Sequence, residues 1–262
     1  MRLRICLENL DGTRMPINYQ EWLTAAVYAL LATSDADYAR FLHEDGYADE
    51  DGRRFKLFTF SWLRGTRRVV EGDMLRFAPG PLEWQVASPV EDFLTNIAKG
   101  LLSAGTLRVG QTLLPITQIE TLPSPALSET TSFTCLSPIV AALPLPDGRT
   151  RYLRPSDGNA FSEAVRRNLL RKHRLLHGGA PADDRFTLTF DPLYLARTGG
   201  GTKLITFKGI HVVGAFAPFT LSGSVELMRV GYEAGFGEKN AAGFGMVETK
   251  SAEKTSCAMM LK

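Results

Sequence analysis

A segment rich in proline and serine, residues 121–128, divides this chain of 262 residues near its middle. Such residues favour turns and irregular structure, so neither a helix nor a strand is expected to run through the segment. The part on either side has about the commonest size of a single domain, roughly 100–150 residues. We therefore expect two domains, at residues 1–122 and 129–250, and a short tail at residues 251–262.

The N-terminal half shows hydrophobic patterns typical of alternating strands and helices. Charged and apolar side chains alternate at the start of the chain, whereas apolar residues recur at helical spacing in two later stretches. The predicted helices cover residues 19–33 and 89–103, and the predicted strands cover residues 2–8, 55–62, 74–86 and 106–121, the middle two forming a hairpin. This order, βαββαβ, is that of a ferredoxin-like unit.

The C-terminal half repeats the same order of elements, although the two halves show no residue-by-residue repeat. A short hairpin through residues 146–148 is expected after its first strand. The predicted helices cover residues 159–176 and 222–232, and the predicted strands cover residues 131–142, 185–196, 203–217 and 244–250. The expected fold class is therefore α+β, with two tandem ferredoxin-like (βαββαβ) domains.

Basic side chains are clustered along the chain, although the formal net charge is only +2. Residues 34–51 contain seven acidic residues, whereas residues 53–76 contain seven basic ones and residues 151–174 form a second basic block. Clusters of this kind can bind a polyanion such as a nucleic acid. They can equally be solvated surfaces balanced by the acidic stretch, and charge alone does not separate the two interpretations.

The sequence shows no sign of export or membrane insertion. The N-terminal residues lack the apolar run of a signal peptide, and no stretch reaches the roughly 20 apolar residues of a membrane span. Cys6, Cys135 and Cys257 form neither a CxxC pair nor an even set, so no disulfide framework is expected. We therefore expect a cytoplasmic protein.

Residues 231–245, called the glycine-rich segment below, contain the tripeptide Gly-Phe-Gly twice. Glycine allows backbone N–H groups to approach phosphate oxygens, and Lys239 would add positive charge beside them. The segment matches neither a P-loop nor a dinucleotide-binding fingerprint. The alternative is that the glycines allow a tight turn from helix to strand and close packing.

The titratable side chains favour acid–base chemistry over metal chemistry. No HExxH or other clustered metal-ligand pattern surrounds the four histidines, and the serine hydrolase motif GxSxG is absent. His43 lies at the end of a short predicted helix, near solvent, where an imidazole can transfer protons near neutral pH. An idle surface histidine is the alternative there. His173 and His177 lie four apart on the basic helix and are expected to face solvent or a nucleic acid.

Two further side chains depart from the patterns around them. Tyr28 points away from the apolar stripe of the first predicted helix. Lys56 interrupts a predicted strand of large apolar residues, so its amine is expected to emerge from a partly buried surface. The alternatives are a common surface tyrosine and an edge-strand lysine that discourages aggregation.

These residues lie within segments that resemble the CRISPR-associated repeat-processing endoribonucleases, the sixth Cas family of the RAMP superfamily. The resemblance spans nearly the whole chain, and the glycine-rich segment is its most specific part. The other matching segments are Met15-Pro16-Ile17-Asn18-Tyr19, Val27-Tyr28-Ala29-Leu30-Leu31, Phe41-Leu42-His43-Glu44, Lys56-Leu57-Phe58-Thr59-Phe60-Ser61 and Leu136-Ser137-Pro138-Ile139.

The resemblance implies metal-independent cleavage of CRISPR precursor RNA inside each repeat, without a cofactor. In the family a tyrosine, a histidine and a lysine act together, and here they would fall on Tyr28, His43 and Lys56. Attack by the ribose 2′-OH would give a 2′,3′-cyclic phosphate and a 5′-OH. The residues expected to bind RNA are Arg166, Arg167, Arg171, Lys172 and Arg174 on the basic helix and Gly235, Gly237, Lys239, Gly243 and Gly245 in the glycine-rich segment.

Two other functions stay open at this point. The same fold and basic surfaces would suit a non-cleaving RNA-binding scaffold subunit of the same superfamily. A small-molecule binding module could instead use the glycine-rich segment for a phosphate metabolite. Homodimer formation and transfer of the product RNA to an effector complex are compatible with the family resemblance, and the sequence decides neither.

Overall fold

The computed structural model describes residues 1–250 and Cys257. Apart from Cys257, the predicted tail at residues 251–262 lies outside the described residues. The elements of the N-terminal half are, in chain order, β1 (Arg2–Leu7), β2 (Thr13–Pro16), α1 (Gln20–Ser34), α2 (Ala36–Glu44), β3 (Tyr47–Ala48), β4 (Arg54–Phe55), β5 (Thr59–Phe60), β6 (Arg68–Glu71), β7 (Met74–Phe77), β8 (Leu82–Ala87), α3 (Glu91–Ala104), β9 (Thr106–Val109) and β10 (Thr112–Leu122).

Five strands of the N-terminal half form one antiparallel sheet in the order β5-β8-β1-β10-β9. The central strand β1 is buried along its whole length, and Leu3, Ile5 and Leu7 belong to the same apolar cluster as Trp84. The buried side chains of α1 and α3 join this cluster, so both helices cover one face of the sheet. This is the ferredoxin-like arrangement predicted from the sequence.

The predicted hairpin of residues 55–62 and 74–86 is only partly correct. β7 pairs with β2 and β6 in a separate three-stranded sheet, and only β8 joins the main sheet. Residues 78–81, Ala-Pro-Gly-Pro, separate β7 from β8 because proline and glycine interrupt a strand. The first strand of the predicted hairpin, residues 55–62, is also divided: β4 pairs with β3, whereas β5 pairs with β8. Leu57, which lies between β4 and β5, has a φ of +53°.

The elements of the C-terminal half are β11 (Thr130–Cys135), β12 (Ala142–Pro144), β13 (Thr150–Tyr152), α4 (Asn159–His177), β14 (Phe186–Phe190), α5 (Pro192–Thr198), β15 (Thr202–Phe207), β16 (Ile210–Ala215), β17 (Phe219–Gly223), α6 (Val225–Ala234) and β18 (Val247–Thr249). The strands β14, β17, β11 and β18 form an antiparallel sheet in that order. α4 and α6 pack on it through an apolar cluster that includes Phe133, Leu169 and Leu227. The predicted second ferredoxin-like unit is therefore present, with the expected hairpin formed by β12 and β13.

Two predicted strands of the C-terminal half are wrong in part. The strand expected at residues 185–196 ends early, because the side chain of Asp191 caps α5 and Pro192 occupies its first turn. The long strand expected at residues 203–217 is a hairpin of β15 and β16. Lys208 and Gly209 both have positive φ angles, which turn the chain between two strands.

The proline- and serine-rich segment separates two halves that are hydrogen-bonded to each other. The backbone N–H of Trp62 donates to the carbonyl of Leu136 at 3.1 Å. The main sheet of the N-terminal half ends with β10 at Leu122, and β11 begins at Thr130. We propose residues 1–122 and 129–250 as the domain limits.

Cys6 of β1 and Cys257 form a disulfide, with their Cα atoms 5.8 Å apart. The expectation that the cysteines form no disulfide is therefore wrong for this pair. A bond between residues 251 positions apart depends on the fold and leaves no spacing signal in the sequence. Cys135 has a free thiol.

In the part of the chain that the structure describes, no helix has the length and apolar character needed to cross a membrane.

Candidate active site

A groove of about 520 Å³, called the interdomain groove below, lies between the two halves of the protein. Its walls come from α1, α2 and the β4–β5 segment on one side, and from α4, the β15–β16 turn and the glycine-rich segment on the other. Glu238 lines it together with the basic residues Arg53, Arg54, Lys56, Arg171, Lys172, Lys208 and Lys239. This excess of positive charge suits a polyanion. Among the described residues, no group of three or more His, Cys, Asp or Glu side chains is placed to hold a metal ion.

Tyr28 and His43 meet at the interdomain groove because α1 and α2 fold back on each other. Tyr28 is half-buried beside the apolar stripe of α1 and lines the groove. The side chain of Asp35 accepts a hydrogen bond of 2.9 Å from the backbone N–H of Tyr38, which caps α2 directly after α1 ends. His43, exposed in the last turn of α2, therefore lies edge-to-face against Tyr28, with ring centroids 5.1 Å apart.

Lys56 reaches the same place from the segment between β4 and β5. Its ammonium donates a hydrogen bond of 3.0 Å to the backbone carbonyl of His43. The next residue, Leu57, is buried in a left-handed backbone conformation, and its carbonyl accepts a hydrogen bond of 2.7 Å from the Ser88 hydroxyl. A bulky residue in this conformation is strained and persists only where its surroundings hold it. The structure thus brings together Tyr28, His43 and Lys56, the three side chains predicted to act in catalysis.

Burial and neighbouring charges affect the ionisation of Tyr28 and Lys56. Burial raises the pKa of Tyr28 to about 12, so its phenol stays protonated at neutral pH and can donate a hydrogen bond. Burial also lowers the pKa of Lys56; the positive charge of Arg54 lowers it further, while the carboxylate of Asp45 opposes the shift. The site therefore offers a hydrogen-bond donor, an imidazole and an ammonium within one basic groove.

The arginines of α4 differ in their surroundings. Arg171 lines the interdomain groove, and Arg167 and Arg174 share its side of the helix because they lie four residues before it and three after it. The guanidinium of Arg166 instead forms an ion pair with Asp184 and donates a hydrogen bond of 2.7 Å to its backbone carbonyl. This pairing conflicts with the RNA contact predicted for Arg166. Among the described residues, Arg167 and Arg171 form only longer ion pairs, of 3.8 Å with Glu163 and 3.7 Å with Asp51. They and Arg174 therefore remain candidates for RNA binding.

Burial argues against the RNA contact predicted for Lys172, because this side chain is only 2% exposed. Its ammonium is hydrogen-bonded within the protein and faces the glycine-rich segment. The sequence contained the signal, since Lys172 follows Val165 and Leu169 at helical spacing on the buried stripe of α4. His173, expected to face solvent or a nucleic acid, is also buried, and its Nδ1 lies 2.9 Å from the carbonyl of Gly179.

Four residues of the glycine-rich segment were predicted to bind RNA through their backbone: Gly235, Gly237, Gly243 and Gly245. All four are buried. A side-chain carbon at any of them would collide with protein atoms; at Gly237 it would meet the carbonyl oxygen of Val140. These surroundings favour the packing interpretation of the glycines over phosphate contact. Lys239 of the same segment is exposed and lines the interdomain groove.

Three basic residues of the groove were not predicted from the sequence to belong to the site: Arg53, Arg54 and Lys208. The two arginines belong to the basic block at residues 53–76, but their position beside α2 depends on the pairing of β3 with β4. Lys208 lies in the β15–β16 turn, and its backbone N–H bonds to the carboxylate of Glu21 on α1 at 3.2 Å. A contact between residues so far apart has no local signal in the sequence.

Two family models match the chain one after the other. The model described as CRISPR-associated protein Cas6, N-terminal, matches residues 14–120. The model described as CRISPR associated protein Cas6, C-terminal, matches residues 122–249. The boundary between the two matches falls at the start of the proline- and serine-rich segment.

Individual proteins resemble the chain over almost its whole length. CRISPR-associated endoribonuclease Cas6 1 of Methanocaldococcus jannaschii is 30% identical over 253 residues, which are 94% of this chain and 92% of that protein. CRISPR-associated endoribonuclease Cas6 of Pyrococcus furiosus is 26% identical over 258 residues, which are 97% of this chain and 90% of that protein. A solved structure described as CRISPR associated protein Cas6 is 29% identical, with a TM-score of 0.75 over 95% of this chain and 98% of that chain.

Proposed function

Because this chain belongs to the Cas6 family of CRISPR-associated proteins, we infer that it is an endoribonuclease that binds CRISPR repeat RNA and cleaves it within each repeat. The resemblance identified from the sequence is thereby confirmed. Relatives named as endoribonucleases match nearly the full chain, which favours cleavage over a purely scaffolding role. The buried glycines give no support to the phosphate-metabolite alternative.

The observation that carries this proposal is the convergence of Tyr28, His43 and Lys56 at the interdomain groove. The three residues come from three separate elements: the rings of Tyr28 and His43 are in contact, and the ammonium of Lys56 is hydrogen-bonded to the backbone carbonyl of His43. A non-cleaving scaffold would need the positive charge of the groove, but not an imidazole placed against a phenol and an ammonium. The arrangement therefore supports a catalytic role for these residues.

In the proposed reaction the ribose 2′ oxygen attacks its own phosphorus while the bond to the 5′ oxygen breaks. The RNA supplies the nucleophile, so the protein has mainly to hold the phosphodiester for in-line attack. His43 donates the proton that the departing 5′ oxygen needs. Because the pKa of Tyr28 is raised, we assign its phenol to donating a hydrogen bond that orients the attacking ribose, and the 2′ proton passes to water in the groove. The ammonium of Lys56 stabilises the charge that develops on the phosphate oxygens.

The proposed products are a 2′,3′-cyclic phosphate and a 5′-OH, and the reaction needs no metal ion. The products follow from attack by the 2′ oxygen, which becomes bonded to phosphorus as the 5′ oxygen leaves. No metal is needed in this proposal because His43 supplies the proton and Lys56 the charge stabilisation. An RNA with a single 2′-deoxy ribose at the cleavage position tests this directly. We expect the protein to bind this RNA with unchanged affinity and to leave it intact, whereas cleavage of the deoxy substrate would overturn the proposed chemistry.

For RNA binding we propose phosphate contacts by Arg167, Arg171 and Arg174 of α4 and by Lys239 of the glycine-rich segment. Phosphate contacts position a nucleic acid without reading its sequence. The Cys6–Cys257 disulfide removes the argument for a reducing compartment that rested on unpaired cysteines. From the family membership we further propose that the protein acts in the cytoplasm, keeps its product long enough to pass it to an effector complex, and can form a homodimer. Light scattering of the protein with and without product RNA tests dimerisation and product retention together.

A further inference from the structure

Lys172 is a lysine enclosed by protein on a helix whose arginine side chains are all at least partly exposed. Taking an ammonium out of water is costly unless acceptors replace the water. Burial lowers the pKa of Lys172 to about 7, and the nearby carboxylate of Glu238 opposes this shift. A fully enclosed lysine beside the interdomain groove therefore requires a structural explanation.

Three acceptors match the three donors of the Lys172 ammonium. The N–O distances are 2.7 Å to the carbonyl of Gly235, 3.1 Å to the carbonyl of Gly237 and 2.6 Å to the side-chain oxygen of Asn240. All three acceptors belong to the glycine-rich segment. One side chain of α4 thus holds two backbone carbonyls and one side chain of this segment.

Asn240 extends the contact across the glycine-rich segment. Its side-chain amide donates hydrogen bonds of 3.2 Å to the carbonyl of Phe236 and 3.0 Å to the carbonyl of Phe244. These two residues are the centres of the two Gly-Phe-Gly tripeptides. Both tripeptides are therefore tied to one asparagine, whose oxygen is held by Lys172.

The opposite side of the glycine-rich segment contacts the N-terminal domain. The side chain of Gln20 donates to the carbonyl of Gly243 at 3.1 Å, and the hydroxyl of Thr59 donates to the carbonyl of Phe244 at 2.9 Å. Gln20 begins α1, which carries Tyr28, and Thr59 lies three residues after Lys56. The segment therefore connects Lys172 to the elements that hold two of the proposed catalytic residues.

Lys239 is the side chain of the glycine-rich segment that depends most directly on this arrangement. It is exposed in a left-handed conformation, with a φ of +59°, and lines the interdomain groove. Its backbone lies between Gly237 and Asn240, both of which accept hydrogen bonds from Lys172. A change in these bonds would move Lys239 relative to Tyr28, His43 and Lys56.

We propose that Lys172 is a positioning residue for RNA cleavage: without touching the RNA, its ammonium fixes the glycine-rich segment and thereby holds Lys239 opposite Tyr28, His43 and Lys56. This inference rests on the proposed function, because it assigns Lys239 to the phosphate backbone near the cleaved bond. A misplacement of about 1 Å far from the chemistry can cost roughly 100-fold in rate.

A double-mutant cycle between Lys172 and Lys239 tests the proposal. The variants are Lys172→Met, which removes the donors at similar length, Lys239→Ala, and the two combined, each measured by single-turnover cleavage at saturating repeat RNA. We expect Lys172→Met to lower the rate roughly 10- to 100-fold in the wild-type background, and to have little further effect when Lys239 is already alanine. Equal losses in both backgrounds, or no loss in either, would overturn the positioning role.

Amide hydrogen exchange provides a readout that does not depend on activity. In Lys172→Met we expect faster exchange at Phe236, Glu238 and Gly245, and unchanged exchange in β1. Unchanged protection of the glycine-rich segment would overturn the inference.

If Lys172→Met does not fold, Lys172→Gln keeps two donors and serves in the same cycle. A wild-type protein that cleaves no repeat RNA would refute the proposed function itself, and the exchange result would still decide whether Lys172 fixes the segment.

Discussion

The ring of Tyr28 on α1 meets the imidazole of His43 on α2 edge to face, with centroids 5.1 Å apart. The contact places a phenol with a raised pKa directly beside an exposed imidazole. The two residues lie on successive helices, and the capped turn between α1 and α2 brings them together. The proposed cleavage reaction depends on this pair and on Lys56, which is hydrogen-bonded to the backbone carbonyl of His43.

Replacing Tyr28 by phenylalanine removes the hydroxyl and keeps the ring. A hydrogen bond to a neutral ribose oxygen is worth roughly 0.5–1.5 kcal/mol, so we expect the cleavage rate to fall about 2- to 10-fold. The affinity for RNA should change little, because the ring contact with His43 is retained. Tyr194→Phe on α5 is the matched control and should cleave like the wild type. Equal rates for Tyr28→Phe and the wild type would contradict the orienting role of the phenol.

The pH dependence of cleavage is expected to report the charge of Lys56. Its ammonium stabilises the transition state, so this contribution is present below the pKa and lost as the pH rises through it. Because burial and Arg54 lower this pKa, the rate at saturating RNA should decline at a pH below the usual lysine range.

Two substitutions near Lys56 should move this alkaline limb in opposite directions. Arg54→Gln removes a positive charge, raises the pKa of Lys56 and shifts the limb to higher pH. Asp45→Asn removes a negative charge, lowers that pKa and shifts the limb to lower pH. Shifts in the same direction, or no shift in either variant, would refute the assignment of Lys56.

The arginines of α4 should differ in the salt dependence of RNA binding. Each phosphate contact with a single strand contributes about 0.7 to the slope of log affinity against log salt concentration. We expect Arg171→Ala to reduce this slope by about that amount, because the only ion pair of Arg171 is a long one of 3.7 Å with Asp51 among the described residues. Arg166→Ala should leave the slope unchanged, because both the carboxylate and the backbone carbonyl of Asp184 hold Arg166. Filter binding over a series of salt concentrations measures both. A larger effect for Arg166→Ala than for Arg171→Ala would contradict the proposed RNA path.

Two glycine substitutions should separate packing from phosphate contact. Gly237→Ala places a methyl group against the carbonyl of Val140, whereas Gly178→Ala, at the end of α4, meets open space. Both glycines have positive φ angles, so both variants lose roughly 1–2 kcal/mol from backbone strain. We expect Gly237→Ala to lose a further 1–3 kcal/mol or so from overpacking, measured by urea unfolding. If Gly237→Ala instead matched Gly178→Ala in stability and lost RNA affinity, the phosphate-contact interpretation would be correct.

Local patterns were enough to predict the fold class, and the family resemblance predicted that Tyr28, His43 and Lys56 act together. The strand and helix periods define the order of elements, and Tyr28 and Lys56 stand out because each departs from the period around it. The separate sheet of β2, β6 and β7 and the β15–β16 hairpin were missed because Pro, Gly and positive φ angles interrupt runs that look continuous in composition.

Partners distant in sequence explain most of the differences between the predicted site and the structure. The helical spacing of Lys172 after Val165 and Leu169 indicates that it faces inward, but its three acceptors in the glycine-rich segment have no local signal. Arg166 resembles Arg167 in sequence, but its neighbour Asp184 comes from the loop before β14. The disulfide of Cys6 and Cys257 likewise depends on the closed fold.

The most direct test is single-turnover cleavage of a CRISPR repeat RNA in the presence of EDTA by the wild type, His43→Ala and His211→Ala. His211 is exposed and is not among the residues that line the interdomain groove, so its variant is the matched control. We expect the wild type and His211→Ala to cleave equally, and His43→Ala to bind the RNA normally but to cleave it about 10²–10⁴-fold more slowly. Cleavage by His43→Ala at the wild-type rate would contradict the account.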